Sequence, residues 1–80
     1  MSLRIILKPR QIQDWIAARR GTPARRQSTD HDLAVLFDGE KSGYETIDID
    51  EFIETMRFHR LVMLVDQEPD KTFHKFIQHG

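Results

Sequence analysis

There is no cysteine in this chain, and at 80 residues that absence narrows how it can fold more than any motif does. Chains of this size hold only a small margin of core stability, and many supplement it with disulfides or structural metals. Without a thiol, disulfides, zinc–thiolate sites, iron–sulfur clusters and thiol catalysis are all excluded. The expected product is one domain spanning residues 1–80, held by its apolar core and too small for a large enclosed active site. Hydrophobic residues at 39% and charged residues at 31% can supply that core and a solvated surface. No apolar run approaches the roughly 20 residues of a membrane span, and residues 1–8 are too short and wrongly flanked for a secretory signal. A cytoplasmic location without a membrane partner is therefore expected.

The net charge of −1 hides an asymmetry. Residues 1–29 hold seven Lys or Arg against the single acid Asp14, while residues 30–70 hold three bases against twelve acids. Such a split can mark a nucleic-acid surface, but those surfaces usually come with a pI above about 9. Here the pI is near 6.4, so attraction between oppositely charged segments, within or between molecules, is the expected use.

Along the chain, Leu3, Ile5 and Leu7 alternate as in a short strand. Pro9 suits a first helical turn, and Ile12, Trp15, Ile16 and Arg19 follow at helical spacing, predicting a helix from Pro9 to Arg20. Gly21, able to take the left-handed conformation, and Pro23 close it. Residues 22–28 are expected as an edge strand, because Pro23 lacks a ladder donor. With the apolar run Leu33–Phe37 they form a hairpin. Residues 38–46 read as a loop. Asp48 and Glu51 have capping-box spacing, so a second helix begins there, with Ile49, Phe52, Ile53 and Met56 on its apolar face, and ends near His59 or Arg60. Leu61–Val65 reads as a central strand, Gln67–Asp70 as a turn, and Lys71–Gln78 as a returning strand. This order predicts an α+β domain with two helices on one face of a small, mainly antiparallel sheet whose other face is partly exposed. It also raises an internal repeat, for which the two halves show no clear sequence similarity.

Residues 38–52 resemble a calcium loop at first sight. Counted from Asp38, Glu40 and Ser42 stand third and fifth and Gly43 sixth, but the twelfth residue is Ile49, which cannot chelate. Counted back from Glu51, the glycine turn is lost. The stretch is thus expected to be a connector and a helix cap, with weak divalent-cation binding through Asp38, Glu40 and Asp48 as an alternative. His31 between Asp30 and Asp32 lacks the third partner that a metal or base site requires. Arg19, Arg20, Arg25 and Arg26 form the most concentrated basic element and are the candidates for phosphate or nucleic acid. No Walker or Rossmann glycine pattern is present, and Ser28 lacks the context of a nucleophile.

Two segments resemble a known family. Gln11 to Arg25, with Ile and Trp on a helix running into Arg19-Arg-Gly-Thr-Pro-Ala24, is similar to an uncharacterised bacterial family whose helix ends in Arg-Gly-Gly-x-Pro-Ala. Ile47 to Gln67 is similar to that family's Ile-Ser-Trp-Asp-Glu-Phe-Phe helix and Leu-Ala-Phe-Leu-Tyr-Gln strand. Together the segments cover about half the chain, which departs from the pattern at Arg20, where the family has glycine, and at Ile49, where it has Trp. Members are sometimes labelled alpha-glucan branching proteins. Retaining glycosyl transfer, however, needs two carboxylates about 5–5.5 Å apart in a sugar cleft, and branching enzymes build that cleft in a barrel. Eighty residues cannot form such a barrel. The expected function is a non-enzymatic interaction module without catalytic residues or cofactor. It would meet a protein partner or a second copy of itself through a strand edge or sheet face. A nucleic-acid or phosphate-binding domain is the alternative.

Overall fold

The computed structural model describes residues 2–28, 32–37 and 42–79. It shows an α+β fold with two helices and two antiparallel three-stranded sheets. The elements run β1 (Leu3–Ile6), α1 (Pro9–Ala18), β2 (Thr22–Arg26), β3 (Leu33–Leu36), β4 (Tyr44–Thr46), α2 (Ile49–Phe58), β5 (Leu61–Asp66) and β6 (His74–Gln78). One sheet has the order β1-β5-β6 and the other β3-β2-β4. Among the described residues no helix is long and apolar enough to cross a membrane.

Both helices follow from their caps and periodicity. Pro9 begins α1 after an extended Lys8, and Ile12, Trp15 and Ile16 are buried along one stripe. At its end, the Arg20 N–H donates to the Ala17 carbonyl (3.1 Å) and the Gly21 N–H to the Ile16 carbonyl (2.9 Å), the paired bonds of a Schellman motif. The left-handed residue of that motif is Arg20 (φ 56), not Gly21 as the sequence suggested. Gly21 serves a different need. A Cβ there would lie 2.6 Å from Val35 Cγ1 and 3.0 Å from Phe37 Cε1, so only glycine allows the helix end to sit against β3. At α2 the Asp48 carboxylate accepts the Glu51 N–H at 2.8 Å. The Glu51 side chain turns instead to Arg25 (2.7 Å).

The two halves share a βαββ order, related by an offset of 40 positions through each helix and the strand after it, and of 41 at the first strands, where Ile5 lies opposite Leu64 as Thr46 lies opposite Ala24. Helices Pro9–Ala18 and Ile49–Phe58 are each ten residues long. At the offset of 40, Ile12 matches Phe52 and Ile16 matches Met56, all four buried, and left-handed Arg20 matches Arg60 (φ 55). Each half gives its first strand to the other: β1 pairs with β5, and β4 pairs with β2. The repeat is therefore one of shape. Apolar residues differ at equivalent core positions, and identities are scattered.

This exchange gives both sheets one core. Ile6 of β1, Leu33 and Val35 of β3, and Met63 and Val65 of β5 join Ile12, Trp15, Ile16, Phe52 and Met56 in a single buried cluster. Edge-to-face ring contacts run from α2 to α1, from Phe52 to Phe76 (5.8 Å), Phe76 to His74 (5.8 Å), His74 to Phe37 (5.7 Å) and Phe37 to Trp15 (6.0 Å), the His74–Phe37 step passing from β6 to the residue after β3.

Three expectations are corrected by these pairings. The loop read over residues 38–46 contains β4, whose three residues are too few and too polar for alternation to show. β2 is central rather than an edge. Its Pro23 is tolerated because the Pro23 carbonyl, pointing to the β4 side, accepts the Ile47 N–H just beyond the end of β4 (3.0 Å), so the missing donor falls where the ladder stops. The last strand starts at His74 rather than Lys71.

Candidate interaction surface

Strand alternation decides what each face of the β1-β5-β6 sheet presents. Directly opposite residues share a face, so Ile6, Met63 and Phe76 point to the core together. The residues between them point away: Leu3 and Ile5 on β1, Val62, Leu64 and Asp66 on β5, Lys75 and Ile77 on β6. Five of these seven are aliphatic, with Val62 buried and Leu64 and Ile77 half-buried, and the buried Asp66 carboxylate accepts the Glu68 N–H. Leu3 is 42% exposed and Ile5 51%, and Leu7, next after β1, is 60% exposed. β1 is also an edge of its sheet. The Ser2 carbonyl accepts the Gln67 N–H, so Ser2, Arg4 and Ile6 direct their backbone groups to β5. By the antiparallel pattern, Leu3 and Ile5 direct theirs outward, where no described strand lies.

The β3-β2-β4 sheet acts as an internal control. Its outer face carries Thr22, Ala24 and Arg26 on β2, Ala34 and Leu36 on β3, and Tyr44 and Thr46 on β4. The same architecture thus accepts polar and small residues where the first sheet has Leu3, Ile5, Val62 and Leu64. The fold does not require an apolar outer face. Exposed aliphatic side chains grouped in the manner of Leu3, Ile5 and Leu7 mark contact sites, whereas single exposed aromatics such as Phe58 (81%) and Phe73 (46%) need no such explanation.

The four arginines singled out by sequence do not converge. Arg19 is half-buried and acts as a structural clamp. Its Nε donates to the Lys71 carbonyl (2.6 Å), Nη1 to the Trp15 carbonyl (3.1 Å), and Nη2 to the carbonyls of Asp66 (3.1 Å) and Glu68 (2.8 Å). The guanidinium lies 4.3 Å from the centre of the Trp15 ring, and the Trp15 Nε1–H itself donates to the Asp66 carbonyl (2.8 Å). Burial lowers the Arg19 pKa from its ordinary value, with Asp66 acting in the opposite sense. Arg25 and Arg26 are consecutive on β2 and so point to opposite faces. Arg25 holds Glu45 (2.8 Å) and Glu51 (2.7 Å), and the Glu45 hydrogen bond is the main cause of its raised pKa. Arg26 holds Asp32 (2.8 Å) and reaches the Tyr44 hydroxyl (3.3 Å). Arg20 is exposed. Nothing in composition reveals the Arg19 clamp, because its acceptors are backbone carbonyls.

Of the cation candidates, Asp38 and Glu40 lie outside the described residues, as do Asp30 and His31. Asp48 is occupied as the cap of α2. Among the described residues no group of three or more His, Asp or Glu is placed to hold a metal ion. An open groove of about 550 Å³ runs beside the end of β1, floored by Ile12, Ile53 and Met56 and flanked by Leu7, Lys8 and Arg57. Its lining presents no nucleophile–base pair, and through Leu7 it borders the exposed residues of β1. Comparison of the chain with protein-family models, with curated proteins and with solved structures finds no match.

Proposed function

We propose that the chain is a non-enzymatic interaction module that meets a protein partner through the outer face and free edge of the β1-β5-β6 sheet. The observation that carries this reading is the contrast between two equivalent sheets, one with exposed Leu3 and Ile5 and the other with Tyr44 and Thr46 in the same places. A pattern that the fold itself does not require needs another reason, and association is the one apolar surface provides. The nucleic-acid reading has less support, because Arg19, Arg25 and Arg26 already hold carbonyl, carboxylate or hydroxyl partners and the last two face opposite ways. Membership of the resembled bacterial family, with a cytoplasmic location, belongs to the same proposal. One feature supports it: the family has glycine where Arg20 takes a left-handed φ of 56, a conformation glycine adopts without steric cost.

A photoreactive amino acid placed at position 5, with position 46 as the control, tests the proposal in the cell that makes the protein. The expected result is discrete protein adducts at position 5 and none at position 46. Equal labelling at both, or nucleic-acid adducts at position 5, would overturn the reading.

A further inference from the structure

Resting on that reading, we infer that the partner at the β1 edge is a second copy of this chain, the two β1 strands pairing antiparallel about Ile5. The outward groups of β1 belong to alternate residues, Leu3 and Ile5, and the next in that series is Leu7. Leu7 follows directly on β1, and Lys8 before α1 again has extended dihedrals (φ −78, ψ 138). A two-fold axis at Ile5 sets Ile5 opposite Ile5 and Leu3 opposite Leu7 of the second copy. All are positions whose N–H and C=O face outward, so each residue finds a partner for both groups. The same register brings the three most exposed aliphatic side chains of this region together on the outer face.

Charge selects this register over its neighbour. Centred on Ile5, Arg4 stands opposite Ile6 of the second copy. Centred on Arg4, the two arginines would oppose each other directly, which destabilises a strand pair. The three remaining edges are less suited to the contact. β3 is as apolar and as long as β1, but all four of its residues are buried or half-buried, so it offers no exposed side chain to a second copy. β6 presents exposed Lys75, a charge of the kind that guards edges, and its His74 ring packs on Phe37 beside the other sheet. β4 is three residues long and carries Glu45. β1 carries no proline and no charge on its outer face, and pairing would join two sheets into one of six strands, ordered β6-β5-β1-β1-β5-β6.

Because the chain has no cysteine, single cysteines report this register cleanly. Opposed residues of a hydrogen-bonded antiparallel pair have Cα atoms about 5.5 Å apart, within disulfide reach, whereas two copies of position 3 would stand more than about 13 Å apart. Under mild oxidation Ile5→Cys is expected to give a disulfide-linked dimer, Leu3→Cys alone to remain unlinked, and a mixture of Leu3→Cys and Leu7→Cys to give the mixed dimer. Sedimentation equilibrium of the parent should give about twice the 9.5 kDa chain mass, and Ile5→Lys should return it to one chain with an unchanged circular dichroism spectrum. A parent that stays monomeric at 100-fold higher concentration than a dilute reference overturns the second copy as partner. A dimer in which Leu3→Cys links as readily as Ile5→Cys overturns the β1 register. Either failure leaves the module reading to the adducts at position 5, which then identify a different protein.

Discussion

Truncating Phe52 to Ala is expected to cost about 3–5 kcal/mol, the range for removing a fully buried aromatic ring from a core. The Phe52 side chain is wholly enclosed, and its ring meets Phe76 edge-to-face at 5.8 Å. It also occupies the central place of α2 that Ile12 holds in α1, where both sheets draw on the same cluster. A domain of this size has a total stability of roughly 4–12 kcal/mol, so the loss removes a large part of it. Chemical denaturation should show a lower midpoint with little change in slope. Phe52→Leu, which refills most of the volume, should cost less than half as much. Equal costs for the two variants would show that the site does not depend on an aromatic shape.

Arg19→Met is expected to destabilise the chain by about 2–3 kcal/mol, since hydrogen bonds from a charged donor contribute about 1.5–3 kcal/mol each but the set is not additive. The four carbonyls it holds belong to Trp15, Asp66, Glu68 and Lys71, so this side chain ties the end of α1 to the β5–β6 turn. Arg19→Lys should recover little, because an ammonium cannot reproduce the planar fork. Arg20→Ala, at the neighbouring exposed position, should change stability by less than about 0.5 kcal/mol. Thermal or denaturant unfolding of the three variants separates a clamp from a solvated helix end. A loss at Arg19 no larger than at Arg20 would reverse the assignment.

What could be read from the sequence was what local physics encodes. Ile12, Trp15 and Ile16, and Phe52 and Met56, stand at helical spacing, and Pro9 and Asp48 mark the starts, so both helices were legible to within two residues at their ends. The continuous run from Leu61 read correctly as a central strand because both of its neighbours are β-strands. Features that depend on distant partners were not legible. β4 is three mostly polar residues that become a strand only because β2 lies alongside. Pro23 argued for an edge, yet the place of its missing donor depends on where β4 ends. The division into two sheets follows from the exchange of β1 and β4 between halves, and alternation within one strand carries no record of which strand it joins.

The candidate surface was half legible for the same reason. The alternation of Leu3, Ile5 and Leu7 predicted a strand, and an exposed sheet face was expected, but which face was settled only by the register with Leu64 and Met63. The basic segment showed the opposite limit. Its four arginines are close in sequence, yet a helix end, a left-handed residue and the two faces of β2 send them in different directions. Of the stretch from residue 38 to Phe52, which resembles a calcium loop on paper, the described part from Ser42 onward holds β4 and leads through the Asp48 cap into α2.

The most direct measurement is the unfolding free energy of Leu3→Lys/Ile5→Lys, taken at a dilution where the parent's transition no longer shifts with concentration. If the outer face of β1 serves association and not folding, this variant should match the parent to within about 0.5–1 kcal/mol, as exposed substitutions do. It should also lose the mass increase with concentration that is expected of the parent. A loss of more than about 2 kcal/mol under those conditions would place Leu3 and Ile5 among the residues that hold the fold together, and would contradict the account.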